Sequence, residues 1–334
     1  MNQNMMLIIN TRRHDPRQRV AGTRESPMLS DGSNQPSYCT ERSDKVSTKS
    51  KIAFVTGASS GIGQASAERL TKAGYKVYGT SRRGATAGQR SFEMLPLDVT
   101  SDESVEAAVR EVIRLSGRID LLVNNAGFSV APAGAEESSI EQARSIFNTN
   151  FFGIVRMTRA VVPHMRRQGG GRILNIGSVL GFLPAPYMAL YAATKHAIEG
   201  YSESLDHEVR TRGIQVSVIE PAYTKTRFDA NSLEPDSKLD EYSEVRAALS
   251  DRMSEVLATA DEPGVVADVV LQAAIAARPR LRYVAGGLAR RLRWLRRFAP
   301  AGVVDAGIRR NLHLDTLMAS LHRTPAPEGP RVGR

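Results

Sequence analysis

The sequence of 334 residues contains one cysteine, one tryptophan and six histidines. Because Cys39 has no second cysteine to pair with, an internal disulfide is excluded, and with it a small secreted fold held together by disulfides. The histidines are scattered and show no metal-ligand spacing, so we predict no metal site. No apolar run approaches the roughly 18 residues that cross a bilayer. We therefore expect a soluble, cytoplasmic protein.

Positive charge is in excess but unevenly distributed. Lysine plus arginine number 45 and aspartate plus glutamate 35, which gives a net charge of +10. Residues 51–277 hold 24 basic and 27 acidic side chains, whereas residues 278–334 hold 13 and 3. A nucleic-acid-binding protein is expected to carry its charge on the folded face that contacts phosphate. Because the excess lies at the C-terminal end, we expect no nucleic-acid partner.

The chain divides into three segments by composition. Residues 1–50 are polar with little hydrophobic periodicity, which predicts a disordered extension; a targeting segment is the alternative. Residues 51–285 alternate short apolar strands with helices, and residues 286–334 are predicted to be a basic helical extension. Strict alternation indicates right-handed crossovers and helices on both faces of a parallel sheet. The expected fold class is α/β, a Rossmann-type doubly wound parallel sheet of about seven strands in a single domain.

A glycine-rich loop of sequence TGASSGIG, residues 56–63, separates the first predicted strand from the first helix. Its three glycines permit a tight turn, close approach of the backbone to a pyrophosphate, and close packing of helix on strand. The helix N-terminus then offers free N–H groups to the anion. A turn with only a structural role is the alternative. We predict a dinucleotide site that uses Gly57, Ser59, Ser60, Gly61 and Gly63.

The end of the second predicted strand indicates which cofactor is bound. A site selective for NAD places Asp or Glu there, about 20 residues after the loop, on the ribose 2′-hydroxyl. This chain has Arg82 and Arg83 instead, and no carboxylate. Two guanidinium groups can bind a 2′-phosphate through charge-assisted hydrogen bonds. We predict NADP(H) over NAD(H), with Arg82 as the first contact and Arg83 as the second; a solvated arginine pair is the alternative.

Three further segments, taken with the glycine loop, resemble one family. Residues 124–127 (Asn-Asn-Ala-Gly) follow the fourth predicted strand, and Ser178 ends the fifth. Tyr191 and Lys195 lie at the start of a helix, with Tyr191 13 residues after that serine. In this order the motifs resemble the short-chain dehydrogenase/reductase family in its main subtype, over about residues 51–285. The closest likeness within the family is to 17β-hydroxysteroid and retinol dehydrogenases.

The spacing of the catalytic candidates suits proton transfer. Tyr191 and Lys195 are four residues apart, so they project from one face of a helix. A nearby ammonium stabilises a phenolate, which lets a tyrosine of ordinary pKa about 10 exchange a proton with a substrate oxygen. Ser178 can hydrogen-bond the same oxygen. The resemblance further implies that Lys195 binds the nicotinamide ribose and that Asn150 holds a water in a proton relay, with Asn148 as the competing choice.

The resemblance also implies contacts with the adenosine half of the cofactor. Asp98 is expected to accept a hydrogen bond from the adenine amino group. Asn124, Ala126 and Gly127 are expected to shape the adenine–ribose side of the site. Ile62 is expected to close the glycine loop near the pyrophosphate.

The turn after the sixth predicted strand departs from the family pattern. Where the family has Pro-Gly, this chain has Pro221-Ala222, and alanine restricts positive φ there. The cofactor contacts implied for this turn come from Pro221, Thr224 and Thr226.

The substrate side is predicted to be apolar. A substrate pocket bordered by apolar side chains and no cation suits a lipophilic alcohol or ketone better than a charged sugar or acid. The alternative is that these side chains only pack the interior of the fold. The residues expected to border the nicotinamide are Phe128, Val130, Leu180, Phe182, Leu183, Pro186, Tyr187, Tyr223 and Phe228.

The resemblance implies an NADP(H)-dependent oxidoreductase acting on steroid-, retinoid- or fatty-type alcohols and ketones or aldehydes. A non-catalytic NADP-sensing protein on the same fold is the alternative. Family members pair through two long helices, here about 140–167 and 188–212, so a homodimer or homotetramer is expected. Residues 286–299 form a basic amphipathic helix with three candidate roles: a lid on the substrate pocket, a subunit contact, or peripheral contact with a membrane.

Overall fold

The computed structural model describes residues 50–84, 90–228 and 232–311, which belong to one compact unit of the chain. The disordered extension predicted for residues 1–50 lies outside the described residues except for Ser50. Residues 312–334 of the predicted basic extension also lie outside them.

A parallel sheet of seven strands forms the centre of the protein, which confirms the predicted fold class. The strand order is β3-β2-β1-β4-β5-β6-β7 and every pairing is parallel. The run of apolar residues in the central strands is buried on both faces, as expected for a sheet covered by helices. The strands are β1 Ile52–Val55, β2 Lys76–Ser81, β3 Glu93–Pro96, β4 Leu121–Asn124, β5 Gly171–Ile176, β6 Ile214–Pro221 and β7 Arg282–Ala285.

Helices cover both faces of the sheet. They are α1 Gly61–Lys72, α2 Asp102–Ser116, α3 Ile140–Phe147, α4 Gly153–Arg167, α5 Ala189–Val209, α6 Ser243–Ala258, α7 Pro263–Ile275, α8 Gly287–Phe298 and α9 Ala301–Asn311. Side chains of α2, α4 and α5 form one hydrophobic core with the sheet, and side chains of α1 and α7 form a second on the other face. None of these helices is both long and apolar enough to cross a membrane.

The ends of α2 follow the local sequence. The Ser101 hydroxyl accepts a hydrogen bond from the Ser104 N–H (3.1 Å), the N-cap interaction typical of a serine before a helix. Gly117 ends the helix with φ of +74°, a left-handed conformation that glycine adopts without strain. Residues next to the helix therefore determine where it begins and ends.

Two parts of the helical layer differ from the sequence prediction. The stretch predicted as one helix over 140–167 contains a π-helical turn, Asn148–Phe152, between α3 and α4. Helix α9 lies within the extension that was predicted to be helical, whereas helices α6 and α7 were not predicted. The hydrophobic periodicity of α6 and α7 is weak, so tertiary packing decides where these two helices begin and end.

Candidate active site

The motifs meet at one edge of the sheet. Because all strands are parallel, the loops that leave β1, β4, β5 and β6 emerge side by side at their carboxyl ends. The strand order also reverses direction here, since the chain runs from β1 outward to β3 and then returns to β4 beside β1. Ligands of open α/β sheets bind at such a switch point.

The glycine loop has the geometry that a dinucleotide requires. Gly57 and Gly61 have φ of +66° and +57°, a region that other residues rarely adopt. A Cβ atom at Gly63 would collide with the carbonyl oxygen of Gly57 and lie 2.5 Å from Asn125 Nδ2. Ser60 is the N-cap of α1, and its side chain makes no capping hydrogen bond. The close packing at these glycines brings the loop backbone and the N-terminus of α1 together in a cradle that fits a pyrophosphate.

Asn125 braces this loop, although the sequence analysis did not assign it a role. Its side-chain amide donates to the carbonyl oxygens of Thr56 and Gly57, both at 3.0 Å. The backbone N–H groups of Asn125 and Ala126 donate to the Thr56 hydroxyl at 2.9 and 3.0 Å. The Asn-Asn-Ala-Gly segment therefore holds the glycine loop in place. Asn125 is part of this motif, which was the sequence signal that could have identified it.

Asn124 points its side chain into the fold instead. It is buried, and its amide donates to Asn175 Oδ1 on β5 at 2.9 Å. The Asn175 amide in turn donates to the Ser202 hydroxyl on α5 at 2.9 Å. This chain of hydrogen bonds joins β4, β5 and α5, so the Asn124 side chain stabilises the scaffold beneath the site.

Asp98 and Arg82, both predicted to bind the adenosine half of the cofactor, interact electrostatically. Asp98 Oδ1 accepts hydrogen bonds from the Thr100 hydroxyl (2.7 Å) and the Thr100 N–H (2.9 Å). These bonds hold the pKa of Asp98 below its usual range, and the positive charge of Arg82 lowers it further. Arg82 and Arg83 are exposed at the turn after β2. The ionised Asp98 carboxylate can accept a hydrogen bond from an adenine amino group. The guanidinium groups of Arg82 and Arg83 can donate to a phosphate on the adjoining ribose.

Arg90 is a second residue that the sequence analysis missed. Its guanidinium donates to the carbonyl oxygen of Ser59 (3.1 Å) and of Ala58 (3.4 Å), and it lies over the Phe92 ring, 5.6 Å from its centroid. It adds a positive charge beside the glycine loop. No sequence motif includes it, because Arg90 reaches Ser59 across 31 residues of sequence.

The catalytic candidates converge between β5 and α5. Lys195 Nζ lies 5.5 Å from the centroid of the Tyr191 ring and donates to the carbonyl oxygen of Ile176 at 2.9 Å. Ile176 is two residues before Ser178, so this bond ties the catalytic helix to the end of β5. The Ser178 hydroxyl accepts from the Leu180 N–H at 3.1 Å, which orients it at the head of a short 3₁₀ turn. These contacts join Lys195 to Tyr191 and to the end of β5 that precedes Ser178.

Lys195 is buried, with 8% of its surface exposed. Burial lowers its pKa from 10.5 to about 8, and the carboxylate of Glu199, one helical turn later, opposes that shift. Lys195 therefore still carries its positive charge at neutral pH, close to the Tyr191 ring.

Asn150 lies on the π-helical turn between α3 and α4 and is buried. Its Oδ1 accepts from the Phe128 N–H (3.0 Å), and its amide donates to the Phe128 carbonyl (2.9 Å) and the Thr194 hydroxyl (3.3 Å). π-Turns occur frequently at functional sites. The side chain clamps the loop after β4 to the residue before Lys195, and the relay water stays a prediction.

The turn after β6 approaches the glycine loop. A Cβ atom at Gly61 would lie 3.1 Å from the Thr226 side chain, and the Thr226 hydroxyl accepts from the Phe228 N–H at 3.1 Å. The Thr224 hydroxyl donates to the Ala222 carbonyl at 3.2 Å, and Pro221 is the last residue of β6. Thr226 is thus the member of this turn that the structure brings to the loop.

A buried carboxyl pair behind the site had no sequence signal. Glu199 on α5 and Glu220 on β6 are both buried, and both reach the guanidinium of Arg282 on β7, at 2.9 and 3.8 Å. Arg293 on α8 donates to Glu220 at 2.7 Å. Desolvation and the neighbouring Glu199 carboxylate raise the pKa of Glu220 from 4.5 to about 7, so Glu220 is partly protonated at neutral pH.

Known proteins resemble this chain in sequence and structure. It is 43% identical over 182 residues to the 3-ketodihydrosphingosine reductase of Bacteroides thetaiotaomicron, a match that covers 54% of this chain and 66% of that protein. A short-chain dehydrogenase from Streptomyces avermitilis superposes with a TM-score of 0.64 at 32% identity, over 82% of this chain and 95% of that one.

Two other solved structures with this fold contain a nicotinamide cofactor. A serine dehydrogenase complexed with NADP+ has a TM-score of 0.60 at 28% identity and covers 71% of this chain and 95% of its own. A 3-ketoacyl-(acyl-carrier-protein) reductase from Brucella melitensis complexed with NADH has a TM-score of 0.59 at 27% identity, with coverage of 71% and 97%.

The family model described as short chain dehydrogenase matches residues 51–237, more than half of the chain. That segment contains the glycine loop, the braced Asn-Asn-Ala-Gly segment and the site formed by Ser178, Tyr191 and Lys195. The chain belongs to the short-chain dehydrogenase/reductase family of oxidoreductases.

Proposed function

We propose that the protein transfers hydride between NADP(H) and a lipophilic alcohol and its ketone or aldehyde. The observation that carries this proposal is the contact of a buried, charged Lys195 with both the Tyr191 ring and the end of β5 before Ser178. A protein that only sensed the cofactor would have no need of a tyrosine beside a buried ammonium group.

The chain's own residues move the proton. Tyr191 gives its phenolic proton to the substrate oxygen during reduction and takes it back during oxidation, and Lys195 stabilises the phenolate between these events. The Ser178 hydroxyl holds the same oxygen in position. When bound, the nicotinamide supplies or accepts the hydride at the substrate carbon. Asn150 keeps the loop after β4 and the start of α5 in register, so that Tyr191 and Lys195 keep their separation.

Selectivity for NADP(H) is proposed from the turn after β2. Arg82 and Arg83 stand there without a carboxylate that could bind a ribose 2′-hydroxyl. Asp98 lies close enough to Arg82 for the guanidinium charge to lower its pKa. A 2′-phosphate placed beside Arg82 would gain charge-assisted hydrogen bonds that a hydroxyl does not offer.

A lipophilic substrate is proposed from the apolar residues around Tyr191. The Tyr191 and Phe228 rings are in contact, with centroids 5.7 Å apart, and Leu183, in the segment after Ser178, is buried. The relative named 3-ketodihydrosphingosine reductase supports a long-chain ketone ahead of steroid or retinoid substrates. The substrate panel should therefore include long aliphatic 3-ketones, steroids and retinoids.

We also propose that the protein forms a dimer or tetramer through α4 and α5. Phe152, at the end of the π-turn, is 48% exposed and contacts the Phe151 ring, which lies against Tyr201 of α5. An exposed aromatic at the junction of these helices suits an isologous contact. Light scattering at micromolar concentration should give at least twice the monomer mass, and a monomer would refute this assembly.

Turnover with both cofactors across the substrate panel tests the proposed function. Wild-type protein should consume NADPH with at least one hydrophobic ketone, and Tyr191→Phe should lower kcat by about 10²–10⁴-fold because the proton donor is gone. NADPH binding, measured by fluorescence titration, should survive in that variant. Full activity in Tyr191→Phe, or tight NADPH binding without turnover on any substrate, would contradict the proposal.

A further inference from the structure

Helix α8 exposes two large aromatic side chains to solvent. Trp294 is 66% exposed and Phe298 is 62% exposed, and their ring centroids lie 5.5 Å apart. Arg290, Arg291 and Arg297 on the same helix are also exposed. We refer to these five residues as the aromatic–arginine face. Contiguous exposed aromatic surface on a soluble domain commonly marks an interaction site.

The helix repeat explains how this face forms. Arg291, Trp294 and Phe298 are spaced by three and four residues, so they lie along one stripe. Arg290 and Arg297 are seven residues apart, two turns of helix, and border that stripe on one side. Aromatic rings edged by guanidinium groups thus point in a common direction.

The opposite side of α8 is attached to the body of the protein. Ala289 is fully buried, and Arg293 donates to the buried carboxylate of Glu220 at 2.7 Å. The Arg293 guanidinium also lies over the Phe182 ring, 4.7 Å from its centroid, and Arg296 donates to the Phe182 carbonyl at 3.2 Å. These contacts fix the rotation of the helix, so the outward direction of the aromatic–arginine face is set by the fold.

Charge on the outer side of α8 has no counterpart within the described residues. The helix contains five arginines and no acidic residue. Arg293 pairs with Glu220, whereas Arg290, Arg291 and Arg297 make no salt bridge to any described residue. The face is therefore strongly cationic and aromatic together.

We propose that the aromatic–arginine face docks on an anionic phospholipid surface. Tryptophan and phenylalanine insert at the boundary between headgroups and acyl chains, where an aromatic ring is buried and the indole N–H stays hydrated. The flanking arginines lie at headgroup level and bind lipid phosphate. The helix rests in the plane of the interface and does not span the bilayer.

Two other partners fit the face less well. A second copy of the chain across a two-fold axis would place these arginines opposite each other, and the like charges would repel. Nucleic acid would bind the arginines through phosphate but would leave the neighbouring apolar side chains exposed to water. Leu288 on α8 and Val303 on the following helix α9 are also exposed, at 45% and 56%. Lipid covers both kinds of group at once.

Docking is independent of the proposed oxidoreductase activity, and either can fail alone. The link between them is structural. The inner side of α8 contacts Phe182, four residues after Ser178. If both proposals hold, the helix that touches the membrane also borders the substrate side of the active site.

The chain carries its own probe for this face, because Trp294 is the only tryptophan among 334 residues. Full-length protein should be titrated with vesicles of phosphatidylcholine alone and of phosphatidylcholine with phosphatidylglycerol. Anionic vesicles should shift Trp294 emission to the blue, brominated acyl chains should quench it, and the protein should sediment with the vesicles. Neutral vesicles should bind much more weakly, and salt should weaken anionic binding by screening.

Two charge-reversal variants make a matched comparison. Arg290→Glu/Arg297→Glu changes the face, and Arg110→Glu/Arg114→Glu at two exposed arginines of α2 makes the same change in net charge elsewhere. The α8 variant should bind anionic vesicles at least about tenfold more weakly, from roughly 1 kcal/mol per basic residue near the surface. The α2 variant should bind like wild type. Circular dichroism and NADPH binding should show that both are folded.

Several outcomes would overturn the proposal. One is no blue shift and no sedimentation with anionic vesicles. Another is equal loss of binding in the two charge-reversal variants, which would show dependence on net charge alone. A blue shift that follows protein concentration without vesicles would assign the face to a second copy. Tighter binding to a DNA duplex than to anionic vesicles, lost in the α8 variant, would assign it to nucleic acid.

Discussion

Helices α5 and α8 differ in the burial of their charged side chains. On α5, Lys195, Glu199 and Asp206 are buried. Lys195 donates to a backbone carbonyl, Glu199 pairs with Arg282, and Asp206 accepts from Arg210 and from a backbone N–H. On α8, most of the arginines face solvent. A buried charge requires a partner inside the fold, whereas an exposed one remains available to a partner outside it.

The two helices meet at Glu220. This carboxylate on β6 accepts from Arg293 of α8, and its pKa is raised by burial and by Glu199 of α5. Glu220 therefore belongs both to the ion pair with Arg293 on the inner side of α8 and to the carboxyl pair that it forms with Glu199. The comparison between α5 and α8 predicts large effects where charge is buried and small ones where it is exposed.

Removal of the buried ammonium should have the largest effect. Lys195→Met should lower kcat by about 10²–10⁴-fold, because the phenolate of Tyr191 loses its stabilising charge. Steady-state kinetics measures this. The same variant tests the burial of Lys195 through the pH dependence of stability.

The lowered pKa of Lys195 determines whether stability rises or falls with pH. Between pH 8 and 10.5 the unfolded chain holds the proton more often than the folded one, so wild-type stability gains a contribution as pH rises through this window. In Lys195→Met that contribution should be absent in denaturant unfolding. An identical pH dependence in both proteins would show that Lys195 is not desolvated in the fold.

The exposed arginine at the adenosine end should control selectivity. Arg82→Asp should lower the preference for NADP over NAD by about 10- to 100-fold, since one charge-assisted hydrogen bond contributes roughly 1.5–3 kcal/mol. The ratio of kcat/KM values for the two cofactors measures this change. Arg110→Asp on α2 is the control and should leave the ratio unchanged. A wild-type preference for NAD would contradict the interpretation of this turn.

The ion pair between α8 and β6 should respond to pH. Because the folded pKa of Glu220 is raised to about 7 from 4.5, the stability contributed by its protonated form is complete below pH 4.5 and lost as pH rises through about 7. Arg293→Ala should therefore destabilise the protein more at pH 8 than at pH 5, because only at the higher pH does the variant bury a carboxylate that has lost its nearer guanidinium and keeps the longer contact with Arg282.

Glu220→Gln supplies the control for this prediction. In that background the loss caused by Arg293→Ala should be the same at pH 5 and pH 8, as measured by denaturant unfolding. A pH-independent loss in the wild-type background would show that Glu220 does not titrate between these values.

Charge reversal on the outer side of α8 should have the smallest effect on stability. Arg290→Glu/Arg297→Glu should change the free energy of unfolding by no more than about 0.5 kcal/mol per substitution, because neither side chain forms a salt bridge with a described residue and Arg297 makes only an exposed contact over the Phe298 ring. Thermal unfolding checks this. A large loss of stability would show that these arginines, like Arg293, stabilise the fold through a partner.

Local signals in the sequence were sufficient for much of the fold. The capping serine and left-handed glycine of α2, the glycine loop after β1, and the four-residue spacing of Tyr191 and Lys195 all act within one or two helical turns of the chain. Such signals depend on backbone conformation and side-chain periodicity, which neighbouring residues determine. The seven-stranded parallel sheet followed from the alternation of strands and helices.

The tertiary structure alone decided which distant side chains meet. Asn125 reaches the glycine loop across 68 residues of sequence, Arg90 reaches it across 31, and Arg293 reaches Glu220 across 73. Spacing along the chain carries no information about such contacts, because they form only when strands and helices stack in their final order. The sequence thus determined the elements and the catalytic motif, whereas packing decided how the loop is braced and which of the arginines on α8 stay in solvent, since burial of a charge depends on the partner that the fold brings to it.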